Sequence, residues 1–127
     1  MKWTCTIILF ASITSLSFAA EHTRDSLTTI KKNIESNKAV LVDVREQDEW
    51  NAGHVKGAIF LPLSSLQDGI SKEEQKKLPQ DKVVYLHCAV GFRAKIAASL
   101  LKKYNDKVQP LPQGYEELIE SGFQKAK

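Results

Sequence analysis

Covalent chemistry is concentrated in one stretch, Lys82 to Tyr104 (KVVYLHCAVGFRAKIAASLLKKY), with Cys88 in its first third and Arg93 five residues on. The reactive form of a cysteine is the thiolate, which a helix N-terminus and nearby cations favour. Both are on offer here. Arg93 falls where the first turn of a helix is expected, a place the helix dipole makes unfavourable for a cation, so it reads as recruited by an anion rather than placed for helix stability. Gly91 can supply the positive φ that a tight ring of backbone N–H groups requires. Converging N–H groups of residues 89 to 93 would stabilise charge on one small anion without any side chain. For an arbitrary cysteine a small buried hydrophobe is the better reading. Gly91, Arg93 and the position of Cys88 as the lone cysteine left in a chain expected to be exported favour a reactive thiol.

The elements that position this loop are legible on either side of it. Val83, Val84, Tyr85 and Leu86 suit a strand covered on both faces. From Ala94 onward the period changes: Ala97, Leu100, Leu101 and Tyr104 stand at i, i+3, i+4 and i+7, one apolar stripe along a helix. A strand that becomes a helix through so short a segment aims its N–H groups at one point. Elsewhere, Ser26 or Asp25 can cap a helix carrying Leu27, Ile30 and Ile34 and ending near Asn37. Ala39 to Val44 is a second strand covered on both sides, and Arg45 to Trp50 predicts a single helical turn ending near Gly53. A short strand around Ile59 to Leu61 stops at Pro62. Ser64 to Leu78 predicts one or two short helices, with Ser71 and Glu74 at capping-box spacing. Lys107 to Leu111 is a last strand, and Tyr115 to Glu120 a short helix closed by Gly122.

Strands alternating with helices at these distances predict an α/β fold, a mainly parallel central sheet with helices on both faces. Ligands of such folds gather outside the carboxyl ends of the strands. Cys88 and Asp43 both lie near strand ends and are expected to open on the same edge.

Residues 1–19 read differently. Lys2 is a positive start, Ile7 to Ile13 a short apolar core, and Ser17-Phe18-Ala19 a small-x-small cleavage site, which together predict a secretory signal peptide followed by one domain over residues 20–127. The apolar run is well short of the roughly 20 residues that span a bilayer, so no membrane association is expected once it is removed. Cys5 would leave with it, making Cys88 the thiol of the mature chain. An exported protein with one cysteine has no internal disulfide, so that thiol is inert, paired with another chain, or used. The chain has 18 basic and 15 acidic residues and a net charge of +3. No basic cluster is interleaved with aromatics, which argues against nucleic acid as a partner.

With these residues in view, the chain resembles a single-domain rhodanese, a thiosulfate sulfurtransferase. Cys88-Ala89-Val90-Gly91-Phe92-Arg93-Ala94 is similar to that family's active-site loop, a cysteine and five residues, the last usually basic, leading into a helix. Leu41-Val42-Asp43-Val44-Arg45-Glu46, then Glu49-Trp50 and Gly53-His54-Val55-Lys56-Gly57-Ala58, resembles its N-terminal signature, and Gly114-Tyr115 its C-terminal one. With the export signal, the chain most resembles the small periplasmic rhodaneses of bacteria.

The resemblance implies a two-step transfer needing no cofactor. Cys88 would attack the outer sulfur of a small anionic donor such as thiosulfate or polysulfide and keep it as a persulfide. A thiol or cyanide-like acceptor would then take that sulfur. Ala89, Val90, Gly91, Phe92 and Arg93 would bind the substrate, with Asp43 and Arg45 in support, in a chain expected to act as a monomer. Arg93 would orient the donor's oxyanion or close the cradle against Asp43.

Two alternatives belong to other classes. Related cysteine phosphatases and arsenate reductases need C-x5-R, a wider ring for a tetrahedral anion, whereas this chain has C-x4-R; His87-Cys88 is the one feature it shares with them. A non-turnover sulfur carrier is the other, because Gln113-Gly114 and Leu118 stand where the family has two glycines and a tryptophan, and Ala89, Val90 and Phe92 make the loop apolar. That last feature also weakens thiosulfate as the donor.

The remaining prominent residues read structurally. His54 is expected to tie down a turn, Trp50 and Phe60 to lie in the core, Arg45 and Glu46 to form an ion pair, and Phe92 to sit exposed at the pocket rim. His22, His54 and His87 form no i, i+4 pair or Cys/His cluster, so no metal site is expected.

Overall fold

The computed structural model describes residues 20–127; the predicted signal peptide and Cys5 lie outside the described residues. In chain order the elements are α1 (Leu27–Glu35), β1 (Ala39–Asp43), α2 (Gln47–Ala52), β2 (Ile59–Phe60), α3 (Leu63–Gln67), α4 (Lys72–Lys76), β3 (Val83–His87), α5 (Phe92–Leu101), β4 (Val108–Pro110) and α6 (Tyr115–Glu120). The four strands form one parallel sheet in the order β2-β1-β3-β4. The two strands with continuous apolar runs, β1 and β3, take the centre, in a register that sets Asp43 beside His87. A central parallel strand is covered on both faces, which is why neither sequence alternates.

The core divides accordingly. On one face Val42, Val44, Val84 and Leu86 pack with Leu63 and Leu66 of α3, Leu78, and Ala94, Ala97, Ala98 and Leu101 of α5. On the other, Leu41 and Tyr85 pack with Ile30 of α1, Leu111 and Leu118 of α6. The expected layers of helix, sheet and helix are therefore present. The buried stripe of α5 is Ala94, Ala97, Ala98 and Leu101, not the one predicted from Ala97 to Tyr104. Small residues bring the helix close to the sheet, and Tyr104 falls beyond its end, half-buried.

The helix starts follow local chemistry. Ser26 Oγ accepts the Thr29 N–H at 3.1 Å, capping α1, and Ser71 with Glu74 makes the predicted capping box on α4. Residues 20–25 run along the edge strand: Thr23 donates its N–H to the Pro110 carbonyl at 2.7 Å, and its hydroxyl bonds the Gln109 side chain at 2.7 Å. That path carries His22 to the loop after β3.

Candidate active site

Cys88 follows β3 directly and α5 begins at Phe92, so four residues connect strand to helix. Gly91 caps α5 with φ +92°, in the left-handed region that glycine adopts without strain. A Cβ there would also lie 2.9 Å from the Pro112 carbonyl oxygen. This conformation turns the Gly91 N–H onto Cys88 Sγ at 3.0 Å.

The loop is braced from behind at three carbonyls. Tyr115 donates its N–H to the Cys88 carbonyl at 2.9 Å. The Ala89 carbonyl lies so close to Gly114 that a Cβ on that residue would stand 1.6 Å from its oxygen. His22 Nε2 reaches the Gly91 carbonyl at 2.9 Å, and because a carbonyl only accepts, that nitrogen carries the proton. A trans peptide is planar with its C=O and N–H opposed, so each carbonyl held outward turns the following N–H the other way. By this planarity the N–H groups of Ala89, Val90 and Phe92 would turn away from these braces, toward the side on which the Gly91 N–H meets Sγ. Negative charge on a sulfur bound here would meet backbone dipoles without needing a side chain.

Cys88 itself has no exposed surface. Ala89 and Val90 are exposed, and Phe92, 76% exposed, stands at the rim as expected.

Arg93 is the second residue of α5, in its first turn as predicted, but its partner is different. Its Nη1 and Nη2 donate to Glu49 Oε1 and Oε2 at 2.5 and 2.8 Å, tying α5 to α2. The expected pairing of Arg93 with Asp43 is absent, because Asp43 is taken by Arg45. Asp43 accepts from the Arg45 N–H at 2.9 Å and from Nε and Nη2 at 3.1 and 2.9 Å. The predicted Arg45–Glu46 pair is likewise replaced. Glu46 instead caps α2 and accepts the Ser64 hydroxyl at 2.6 Å.

Asp43 and Arg45 are both buried and paired with each other. Arg45 Nη2 donates to the Gly53 carbonyl at 2.7 Å, and its guanidinium sits 4.1 Å from the centre of the Tyr115 ring, the residue that holds the Cys88 carbonyl. His87, beside Asp43, is fully buried, and burial pushes its pKa below the usual histidine value, outweighing the attraction of Asp43. Its Nε2 is 3.6 Å from Asp43 Oδ2, too far for a hydrogen bond, and has no partner. That burial favours the neutral imidazole beside Cys88.

His54 ties down its turn as expected, donating from Nδ1 to the Trp50 carbonyl at 3.0 Å and stacking on that indole at 3.5 Å. Trp50 and Phe60, expected in the core, are half-buried and pack on each other at 4.8 Å between centroids, because α2 lies at the edge of the sheet beside β2. Among the described residues no group of three His, Cys, Asp or Glu side chains could hold a metal. His22 and Glu49 were not marked as site residues by the sequence. Glu49 belongs to the N-terminal signature but stands among Glu46 and Asp48 with no local sign of its partner, and His22 is 69 residues from its own.

Residues 26–121 match the model of the rhodanese-like domain. The chain belongs to the rhodanese-like domain family. It is 42% identical over 66 residues to the uncharacterized protein YqhL of Bacillus subtilis, a match taking in 52% of this chain and 48% of YqhL, so the chain spans about half of that relative. The single-domain sulfurtransferase RDL2 of Saccharomyces cerevisiae superposes with a TM-score of 0.63 at 26% identity, covering 84% of this chain and 94% of RDL2. The human single-domain sulfurtransferase TSTD1 gives 0.65 at 25% identity, over 76% of this chain and 94% of its own. The family is thus the one that the motifs resembled, and the parallel α/β fold is the one that the alternation of strands and helices predicted. His22 lies outside the matched span.

Proposed function

We propose that this chain is a sulfurtransferase whose Cys88 takes the outer sulfur of a donor such as thiosulfate or polysulfide and passes it to a thiol or cyanide-like acceptor. The observation that carries this reading is the bond from the Gly91 N–H to Cys88 Sγ at 3.0 Å, within a loop whose carbonyls are held outward. The thiolate attacks the outer sulfur, a new S–S bond forms on Cys88, and the electron pair of the donor's broken bond leaves with sulfite or the shortened polysulfide. The terminal sulfur of the persulfide carries the charge, which the N–H groups of the loop accommodate. The acceptor then attacks that sulfur and releases the Cys88 thiolate. The similarity to RDL2 and TSTD1 supports sulfur transfer in general. Because Cys88 has no exposed surface, the loop opens for a donor to reach it.

The test is the intact mass of the reduced protein after thiosulfate or polysulfide treatment, beside Cys88→Ser. A gain of one sulfur atom in the wild type and none in the variant is expected. No gain with either donor removes the reading. Export is part of it: residues 1–19 would be cleaved, and N-terminal sequencing of protein recovered from a periplasmic fraction checks this.

A further inference from the structure

The rim of the loop differs from the rest of the surface. Among the described residues three large apolar side chains are left exposed, Val90 (73%), Phe92 (76%) and Ile96 (46%). Singly placed exposed apolar residues need no explanation. These three are not singly placed: Val90 is in the loop, and Phe92 and Ile96, four residues apart, share one face of the first turns of α5.

The guanidinium nearest the loop is occupied. Arg93 meets the Glu49 carboxylate fork to fork, with the same two nitrogens that would grip a sulfonate. The bond from Arg93 lowers the Glu49 pKa from 4.5 to about 2, so the carboxylate is charged throughout the working range. Arg45 is equally committed, to Asp43 and the Gly53 carbonyl. A thiosulfate dianion arriving at the rim would have to break the Arg93–Glu49 pair or sit beside a carboxylate. A donor with its outer sulfur on a carbon skeleton would have to do neither.

We propose that the donor is an organic persulfide, R–S–SH with an apolar R group, which rests on Val90 and Phe92 while Glu49, by holding Arg93, disfavours a sulfonate. This rests on the reading of Cys88 as the sulfur acceptor. The Cys88 thiolate attacks the outer sulfur, the new S–S bond forms, and the old one breaks with its electron pair leaving on R–S⁻. The proton of the transferred sulfur passes to that more basic thiolate, leaving Cys88 as an anionic persulfide and the donor as R–SH, with no net oxidation.

The experiment measures single-turnover sulfur gain on Cys88 by intact mass, with benzyl persulfide and with thiosulfate, in the wild type, Glu49→Gln and Phe92→Ser. Each donor's rate is divided by its rate with a small free thiol. The wild type should favour benzyl persulfide; Glu49→Gln should shift the ratio about tenfold toward thiosulfate, and Phe92→Ser should lower the persulfide rate about tenfold. Phe92 is exposed, so its variant tests the idea even if Glu49→Gln folds poorly. Thiosulfate loading faster in the wild type, or a ratio that neither substitution moves, overturns the persulfide preference and leaves sulfur transfer standing. Failure of both donors to load Cys88 overturns both.

Discussion

His22 donates from Nε2 to the Gly91 carbonyl at 2.9 Å, joining the segment before the family domain to the loop that holds Cys88. The peptide it fixes also contains the Phe92 N–H, so planarity ties the direction of that group to this contact. A hydrogen bond of this kind contributes about 0.5–1.5 kcal/mol. His22→Ala should therefore slow sulfur gain on Cys88 about two- to tenfold, and His22→Gln, which keeps a donor, should recover part of the loss. Equal rates in all three proteins would show that the contact is incidental.

Gly114 is where the back of the loop touches α6. A Cβ there meets the Ala89 carbonyl oxygen at 1.6 Å and its carbon at 2.5 Å, both backbone atoms that no rotamer change can move. Gly114→Ala should displace the loop, costing about 1–3 kcal/mol in denaturant unfolding and most of the sulfur-transfer rate. A variant with wild-type rate would mean the loop is softer than its bracing implies.

The Asp43–Arg45 pair is buried, and removing one member leaves a charge without its partner. Asp43→Ala should lower stability by about 3–5 kcal/mol. The donor preference of whatever folds should stay as in the wild type, since Asp43 is buried and its carboxylate is bonded to Arg45. A changed preference with unchanged stability would return Asp43 to the substrate.

The Arg93–Glu49 pair has a definite pH signature. Because the bond from Arg93 lowers the Glu49 pKa from 4.5 to about 2, its stabilisation is complete above 4.5 and is lost as pH falls toward 2. Melting temperatures of the wild type and Glu49→Gln should differ by a constant amount from neutral pH down to about 5 and converge below. A difference that grows on acidification would contradict the pairing.

Cys88 lies with no exposed surface in the loop between β3 and α5. Iodoacetamide should alkylate it at least about tenfold more slowly than a free model thiol, with the rate rising in Gly114→Ala. Modification at the free-thiol rate would show that the loop is open most of the time.

Much of this was legible from sequence because it is local. The change from the period of Val83–Leu86 to the helical spacing beyond Ala94 placed a strand, a short loop and a helix around Cys88. Ser26, Ser71 and Gly91 marked caps and a positive φ within a few residues of where they act. Continuous apolar runs at β1 and β3 announced the centre of a parallel sheet. The pairing of charges was different. Asp43, Arg45, Glu46, Glu49 and Arg93 are near one another in the fold under several pairings, and only the register of Asp43 beside His87 and the placement of α2 over the start of α5 select Asp43–Arg45 and Arg93–Glu49. His22 had no local signal, since its partner is a backbone carbonyl far along the chain. The sequence alone thus singled out Cys88 and the kind of loop that surrounds it, because backbone conformation follows short-range residue chemistry. Only the tertiary structure decided which cations are free, because an ion pair depends on where separate elements meet.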